Sequence, residues 1–230
     1  ILVHLDINSL HCVDEEFVQH YSPRIQRTSI DYRDLAERCN RSNSAHALSA
    51  ASKHKYFYSH VTDLRRFLLL YLIGGTYLDT DVILVRRPEQ GNIAKQSDTG
   101  LNGAFLSFPS GHPFVAACLD EIPRTYDPNS WGSVGPALLD AIMSLAHIFD
   151  ASAITVLEKS SFYSFPWEDH YHMFVSPIRP EDFKSDGIYG YHLWASLSSP
   201  RTVIKGSVWH RALASTCLSS IGVPQDCLVC

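Results

Sequence analysis

Two aspartates, Asp79 and Asp81, lie one residue apart in the apolar stretch "GGTYLDTDVILV" (74–85). In an extended strand alternate side chains point to the same face, so the two carboxylates would lie side by side. Carboxylates this close repel each other, and burying them without compensation is costly. Mn²⁺ or Mg²⁺ would relieve the repulsion, because these ions bind carboxylate oxygens and complete their shell with water and phosphate oxygens. The pattern therefore predicts a divalent metal site at Asp79 and Asp81.

Three more residues are predicted to face the same cleft. Tyr77 shares the strand face of the aspartates by the same alternation. Asp63 and Arg66 lie three residues apart on the preceding segment, a spacing that places both on one face of a helix. An alternative stays open, in which Asp63 only complements the helix dipole and pairs with Arg66, while the two aspartates occupy an exposed strand end.

A helix followed at once by a strand must position these side chains. Ser59 or Thr62 can cap the start of the helix, and Gly74 and Gly75 end it. A strand over 76–85 follows directly. The apolar face of the helix recurs with the spacing i, i+3, i+4 and i+7, at Leu64, Phe67, Leu68 and Tyr71.

Strands and helices alternate along the rest of the chain. Further strands are predicted over 1–7, 103–108, 153–157 and 187–194. Further helices are predicted over 29–39, 113–126, 134–149 and 207–221, and a polar connection over 40–55. This alternation predicts an α/β fold with a mostly parallel sheet flanked by helices.

Composition and charge exclude several classes of protein. The chain has 230 residues, of which 45% are hydrophobic and 19% charged, as is typical of a globular domain. Its net charge of −5 comes from 24 acidic and 19 basic residues without a basic stripe, so no nucleic-acid partner is expected. The longest apolar run, 67–78, is shorter than the roughly 20 residues of a membrane-spanning helix. Six cysteines are too few to define a disulfide framework in a chain of this size.

The stretch "TDLRRFLLLYLIGGTYLDTDVILV" (62–85) resembles the DXD signature of sugar-nucleotide glycosyltransferases. Four later blocks resemble, in the same order, the family that contains α-1,4-galactosyltransferases and α-1,4-N-acetylglucosaminyltransferases. These blocks are "LNGAFLSF", "WGSVGPALLDAI", "FYSFPWED" and "GYHLWASL". The shorter core over 63–81 is also similar to yeast-type mannosyltransferases and to bacterial toxins that glucosylate host proteins, so this core alone does not identify the substrate. The four later blocks are what point to the α-1,4-glycosyltransferases.

The resemblance implies a GT-A-like domain that transfers a hexose from a UDP-sugar to a hydroxyl of a glycan or glycolipid, with retention of configuration. Galactose or N-acetylglucosamine is the expected sugar. By the same resemblance, Asp79 and Asp81 would hold Mn²⁺ or Mg²⁺ against the diphosphate. Asp63, Arg66 and Tyr77 match family positions near the ribose, the diphosphate and the donor sugar.

Asn102 is the expected contact to the donor sugar, since it matches the family position in the block "LNGAFLSF". An amide is a poor nucleophile, and no other residue stands out as a covalent nucleophile. Front-face attack assisted by the leaving phosphate therefore stays open as the route to retention.

The segment "YHLW" (191–194) adds two candidates. On a strand, His192 and Trp194 would share a face and point an imidazole and an indole N–H at the diphosphate. His192 would be the third metal ligand, because a neutral imidazole binds Mn²⁺. Trp194 would steady charge as the sugar departs. The alternative is an aromatic strand end in which His192 is a satisfied core histidine.

A single catalytic domain is expected over 1–230, with the DXD core at 59–88 and an α-1,4-glycosyltransferase-like part over 150–230. The resemblance implies that the first nucleotide-binding strand and a membrane anchor lie outside this chain, and that the full-length protein is tethered in the Golgi lumen. Two alternatives are an inactive or carbohydrate-binding relative and, from "DTDV" alone, a haloacid-dehalogenase-type phosphatase.

Overall fold

The computed structural model describes residues 3–5, 25–27, 31–88, 91–145, 154–197 and 202–215. The strands are β1 (Val3–Leu5), β2 (Ile25–Arg27), β3 (Gly75–Leu78), β4 (Val82–Leu84), β5 (Ile93–Lys95), β6 (Leu101–Phe108), β7 (Val156–Leu157) and β8 (Gly190–His192). The helices are α1 (Tyr32–Arg38), α2 (Ser42–Ser49), α3 (Phe57–Ile73), α4 (Pro113–Thr125), α5 (Pro136–Ser144), α6 (His172–Val175), α7 (Pro180–Phe183) and α8 (Val208–Ser215). Two short 3₁₀ helices lie at Lys159–Ser161 and Trp167–Asp169.

The largest sheet of the described chain has four strands in the order β3-β6-β5-β7. Strand β6 is antiparallel to both of its neighbours, and β5 is parallel to β7. Helices α3 and α5 contact β6. Two smaller sheets pair β1 with β2 in parallel and β4 with β8 antiparallel. The predicted α/β class is confirmed, and the sheet is mixed, with both parallel and antiparallel pairs.

The buried face of α3 packs into the main core, as the apolar spacing predicts. Leu64, Phe67 and Leu68 are each at most 1% exposed. They join Phe114 and Leu119 of α4 in one cluster of buried side chains. Burial of side chains of this size stabilises the folded chain by about 1.5–3 kcal/mol each.

The two ends of α3 differ in how well the sequence predicts them. The helix begins at Phe57 without a side-chain cap, so the expected caps, Ser59 and Thr62, lie inside the helix and that prediction is wrong. The helix ends as expected at Gly74, which has a φ of +67°. A Cβ at Gly74 would lie 2.5 Å from the Ser110 backbone nitrogen, so only glycine fits there.

The strand predicted over 76–85 is divided into two, which corrects the prediction. β3 ends at Leu78 and pairs with β6, whereas β4 begins at Val82 and pairs with β8. The Asp79 amide still donates to the Ala104 carbonyl at 2.9 Å, and the Val82 amide then donates to the Asp79 carbonyl at 3.1 Å. The turn at 79–81 therefore connects two sheets, because the strand before it pairs with β6 and the strand after it pairs with β8.

Other predicted elements are present with altered bounds. The predicted polar connection over 40–55 contains the helix α2. Two residues of this helix, Ala45 and Leu48, are buried, which stabilises it. The strand over 187–194 is reduced to β8. Of the strand predicted over 1–7, β1 is the described part, and the rest lies outside the described residues. The helix predicted over 134–149 extends beyond residue 145, and the helix predicted over 207–221 extends beyond residue 215. The parts beyond these residues lie outside the described chain.

A separate aromatic cluster packs between the sheets. Phe105 and Phe162 stack with ring centroids 4.6 Å apart, and Tyr163 packs beside them. Cys39 and Cys118 are free and buried, and the other four cysteines lie outside the described residues. No helix among the described residues is long and apolar enough to cross a membrane.

Candidate active site

The two aspartates lie in the turn between β3 and β4, opposite His192. One ligand atom from each of Asp79, Asp81 and His192 lies within 4.8 Å of the other two. In an octahedral shell, bond lengths of about 2.1 Å place adjacent ligand atoms about 3 Å apart and opposite ones about 4.2 Å apart. The bound of 4.8 Å is slightly above this range, so small side-chain movements would bring the three atoms onto a single ion.

The pairing of β4 with β8 brings His192 to Asp81. Val82 lies opposite His192 in this pair, and the Leu193 amide donates to the Asp81 backbone carbonyl at 2.8 Å. The Asp81 Oδ2 atom accepts from the Ala195 amide at 2.9 Å, and Oδ1 lies 3.4 Å from the His192 Nε2 atom. Burial raises the pKa of Asp81, but the contacts with His192 and Ala195 outweigh it and leave that pKa lowered.

Asp79 is held from the other side, by α3 and by β3. Its Oδ1 atom accepts a hydrogen bond from the Tyr77 hydroxyl at 2.7 Å and lies 3.2 Å from Nη2 of Arg66. The same Nη2 lies 2.8 Å from Oδ1 of Asp63. The Arg66 guanidinium also stacks 4.6 Å from the centroid of the Tyr77 ring. Within the described residues these contacts use Oδ1 of Asp79 and leave its Oδ2 free.

Burial and charge together set the ionisation of this group. Burial alone would lower the pKa of Arg66, but Asp63, Tyr77 and Asp79 raise it, so the guanidinium stays charged. Burial raises the pKa of Asp63, and Arg66 offsets part of that rise. Burial likewise raises the pKa of Tyr77, so its hydroxyl keeps the proton that it donates to Asp79.

Two glycines let the backbone approach the charged pair on α3. A Cβ at Gly103 of β6 would lie 2.7 Å from Nη1 of Arg66. A Cβ at Gly135, just before α5, would lie 2.9 Å from Oδ2 of Asp63. Both positions therefore favour glycine for reasons of space, and the sequence pattern alone did not indicate these contacts.

His60, one helical turn before Asp63, is a site residue that sequence reasoning missed. Its side chain is fully buried. Its Nε2 atom lies 3.0 Å from the Ser130 carbonyl oxygen, to which it donates, and its Nδ1 atom lies 3.2 Å from the Tyr126 hydroxyl oxygen. His60 thus ties α3 to the loop that places Gly135 against Asp63. The i, i+3 spacing of His60 and Asp63 was the available signal.

The donor atoms fit a hard divalent cation. Two carboxylates and an imidazole suit Mn²⁺, and the carboxylates also suit Mg²⁺. The His192 Nδ1 atom is buried without a hydrogen-bond partner among the described residues. Its Nε2 contact to Asp81, at 3.4 Å, is longer than the roughly 2.7–3.2 Å of an ordinary N–H···O bond. The protein's own contacts thus leave this imidazole incompletely satisfied, unlike a core histidine.

Trp194 lies beside His192, but its N–H points elsewhere. The indole N–H donates to the Phe165 carbonyl at 2.9 Å, and the indole meets the His192 ring edge-on at 4.2 Å between centroids. Trp194 lies beyond β8 with a φ of +54°, so the strand alternation does not reach it. The prediction that imidazole and indole N–H point together at the diphosphate is therefore wrong.

Asn102 is buried near the start of β6. Its Oδ1 atom accepts from the Ala104 amide at 2.7 Å, and its Nδ2 atom donates to Oε1 of Gln96 at 2.7 Å. Gln96 in turn lines the cavity described next. The predicted contact of Asn102 with a donor sugar stays a prediction.

A cavity of about 610 Å³ adjoins the metal-site residues. Its lining residues are Gln96, Ser97, Asp98, Lys159, Ser160, Tyr163, Ser164, Pro166, Trp167, Glu168 and Trp194. Tyr163 and Trp194 line the cavity and also contact His192, with ring centroids 5.5 Å and 4.2 Å from the imidazole. The block "FYSFPWED" supplies much of this wall, and its aromatic density was the signal in the sequence.

Profiles of two protein families match the chain. The profile described as "Alpha 1,4-glycosyltransferase conserved region" matches residues 107–223. The profile described as "Glycosyltransferase sugar-binding region containing DXD motif" matches residues 9–99, which include the two aspartates. These matches place the chain in the glycosyltransferase class of proteins. The chain belongs to the α-1,4-glycosyltransferase family.

Curated relatives agree with this assignment. A lactosylceramide 4-alpha-galactosyltransferase of Pan troglodytes is 30% identical over 202 residues, 83% of this chain and 54% of that protein. The protein of the same name from Pongo pygmaeus is 31% identical over 183 residues, 75% of this chain and 83% of that protein. An alpha-1,4-N-acetylglucosaminyltransferase of Homo sapiens is 28% identical over 160 residues, 64% of this chain and 46% of that protein. The chain spans about half the length of the first and the third of these relatives.

Proposed function

We propose that this chain is the catalytic part of a metal-dependent hexosyltransferase, which moves a hexose from a UDP-sugar to a hydroxyl of a glycan or glycolipid. The observation that carries the proposal is the convergence of Asp79, Asp81 and His192 on one point, within a chain of the glycosyltransferase family. No observation favours the phosphatase alternative.

Asp79, Asp81 and His192 would hold the metal ion, with Mn²⁺ favoured over Mg²⁺ by the imidazole. When bound, the ion would offset the negative charge that builds on the departing UDP. Tyr77 fixes Oδ1 of Asp79, so the free Oδ2 is the oxygen of this carboxylate that would face the ion.

Arg66 and Asp63 would orient the diphosphate and the hexose of the donor. The Arg66 guanidinium is charged, stacked on Tyr77 and paired with two carboxylates before any ligand binds. A side chain already fixed in this way loses little freedom on binding, which favours a productive orientation of the donor. Oxygens of the ligand would compete with Asp79 for the guanidinium once a cation compensates that carboxylate.

Retention of configuration is proposed to proceed by front-face attack. Asn102 matches the family position expected to contact the donor sugar, so it is the residue to consider as a nucleophile. Both ends of its amide are already hydrogen-bonded, to Ala104 and Gln96. An amide fixed in this way positions a sugar hydroxyl better than it attacks an anomeric carbon. The leaving phosphate would then accept the proton of the acceptor hydroxyl.

Galactose and N-acetylglucosamine are the proposed hexoses, and a lactose-headed glycolipid is a proposed acceptor, because the relatives carry these groups in their names. The Golgi lumen is the proposed location, with a membrane anchor outside this chain. A non-catalytic, carbohydrate-binding role is the second candidate, in which the same cavity and site residues would bind a sugar without turnover.

Calorimetric titration of the chain with UDP in Mn²⁺, in Mg²⁺ and in EDTA tests the metal site. We expect binding with Mn²⁺, weaker binding with Mg²⁺ and none in EDTA. Binding that is equally tight in EDTA would contradict the metal assignment. Release of UDP from UDP-galactose or UDP-N-acetylglucosamine, with lactose as a soluble acceptor, then separates an enzyme from a binding relative.

A further inference from the structure

The cavity beside the metal site combines aromatic faces with polar groups. Tyr163, Trp167 and Trp194 line it together with the charged side chains of Asp98 and Lys159, which pair at 2.7 Å. Its volume of about 610 Å³ falls within the roughly 300–1,000 Å³ of small-molecule sites. Sugars present an apolar C–H face that packs on aromatic rings and hydroxyls that bond to carboxylates, amines and serine hydroxyls. The lining therefore matches the chemistry of a pyranose ring.

The two sides of the cavity differ in exposure. Tyr163 is 2% exposed and lies on the side of His192. Trp167 is 57% exposed, on the 3₁₀ helix Trp167–Asp169. A ligand that fills the cavity would thus have one end against Tyr163 and Trp194, which contact His192, and the other end open to solvent past Trp167. A glycan needs this arrangement, because the rest of its chain must leave the site.

We infer that this cavity binds the terminal sugar of the acceptor glycan, with the indole face of Trp167 as its stacking surface. The inference rests on the proposed transfer reaction and places the acceptor hydroxyl at the end of the cavity where Trp194 lies against His192. The donor hexose would lie between that hydroxyl and the diphosphate. Truncation of Trp167 should weaken acceptor binding and spare the metal and the donor.

Kinetics of Trp167→Ala with lactose and UDP-galactose test the inference. We expect the KM for lactose to rise about tenfold, which corresponds to about 1.4 kcal/mol of lost binding. The KM for UDP-galactose and its slow hydrolysis without acceptor should stay unchanged. Trp167→Phe, which keeps an aromatic face, should restore part of the lactose affinity. Because Trp167 is exposed, these variants should fold.

Trp131→Ala is the matched control, because Trp131 is 52% exposed and does not line the cavity. It should leave both KM values unchanged. An unchanged lactose KM in Trp167→Ala would overturn the inference. A rise in the UDP-galactose KM instead would assign the cavity to the donor sugar and overturn it as well.

Failure of the proposed transfer reaction is distinguishable from failure of this inference. If the chain turns over neither UDP-sugar, saturation-transfer NMR with lactose still reports on the cavity. A signal from lactose with the wild-type chain that disappears in Trp167→Ala and persists in Trp131→Ala would support a sugar site without catalysis. Absence of a signal in the wild type, or its persistence in Trp167→Ala, would overturn the cavity assignment.

Discussion

Arg66 on α3 lies 3.2 Å from Asp79 in the β3–β4 turn, so one of the two aspartates is partly compensated by the protein itself. Asp81 has no such partner among the described residues and instead faces His192 at 3.4 Å. The two carboxylates therefore contribute differently to the site. In the proposed metal site, a cation would have to neutralise Asp81 more than Asp79.

Asp79→Asn and Asp81→Asn should each abolish Mn²⁺-dependent UDP binding and turnover of UDP-sugar. Each change removes a charged ligand and also weakens contacts that favour the carboxylate, with Arg66 for Asp79 and with His192 and Ala195 for Asp81, so the free energy of unfolding should fall by about 1–2 kcal/mol. Calorimetry with UDP and urea unfolding measure the two effects. Asp186→Asn is the control, because Asp186 is an exposed carboxylate paired with Arg86 at 3.2 Å. Full activity in either site variant would remove the metal assignment.

Part of this site is predictable from local periodicity, and part is not. The i, i+3 spacing of Asp63 and Arg66 predicts a shared helix face, and the ion pair at 2.8 Å confirms it. The break between Asp79 and Asp81 depends on pairing with β6 and β8, which are distant in sequence. Alternation within one strand therefore predicted correctly that the two carboxylates lie close together, but it predicted the wrong backbone, because the single strand is in fact two.

Tertiary contacts explain the remaining misses. The φ of +54° at Trp194 and its bond to the Phe165 carbonyl follow from packing near the cavity, which no local pattern encodes. The approach of Gly135 to Asp63 likewise depends on how the loop before α5 meets α3. The sequence blocks predicted which segments contribute to the site. The orientations of their side chains depend on tertiary packing and are known only from the structure.

Gly135→Ala should disturb Asp63 and lower activity. The new Cβ would lie 2.9 Å from Oδ2 of Asp63, which is itself held by Arg66, so the carboxylate could not move away without cost. We expect loss of stability by about 1–3 kcal/mol and a lower kcat. Gly132→Ala in the same loop is the matched control, because its nearest neighbour lies at 3.6 Å. Equal effects of the two substitutions would show that Asp63 is not crowded.

The N-terminus of α1 should lose stability in acid. Asp31 caps the helix by accepting from the Arg33 amide at 2.8 Å, and its hydrogen bonds with Arg33 lower its pKa from 3.8 to about 2. A carboxylate with a depressed pKa stabilises the fold above its unfolded pKa, and this contribution is lost as the pH falls from about 4 to about 2.

Asp31→Ala should therefore cost about 1 kcal/mol at pH 6, the usual value of a helix cap. The difference from wild type should shrink as the pH falls towards 2. Asp31→Asn keeps a capping oxygen and should cost little at pH 6. Urea unfolding of the three proteins across this range provides the measurement, and a difference independent of pH would contradict the assigned pKa shift.

Tyr163 and Tyr191 offer a matched pair of buried tyrosines that should respond in opposite ways to loss of the hydroxyl. Both are at most 2% exposed. The Tyr191 hydroxyl donates to the Phe183 carbonyl at 3.0 Å. The Tyr163 hydroxyl is buried without a hydrogen-bond partner among the described residues, and the neighbouring Ala104 amide donates to Asn102 instead.

Burial raises the pKa of Tyr191 to about 12 and raises the pKa of Tyr163 well above its ordinary value, so both hydroxyls are protonated at neutral pH. Tyr191→Phe loses a hydrogen bond and should lower the free energy of unfolding by about 1 kcal/mol. Tyr163→Phe removes an unsatisfied buried hydroxyl and should leave that free energy unchanged or raise it by up to about 1 kcal/mol. Urea unfolding of the ligand-free chain measures both. A clear loss of stability in Tyr163→Phe would show that this hydroxyl has a partner that the described residues do not supply.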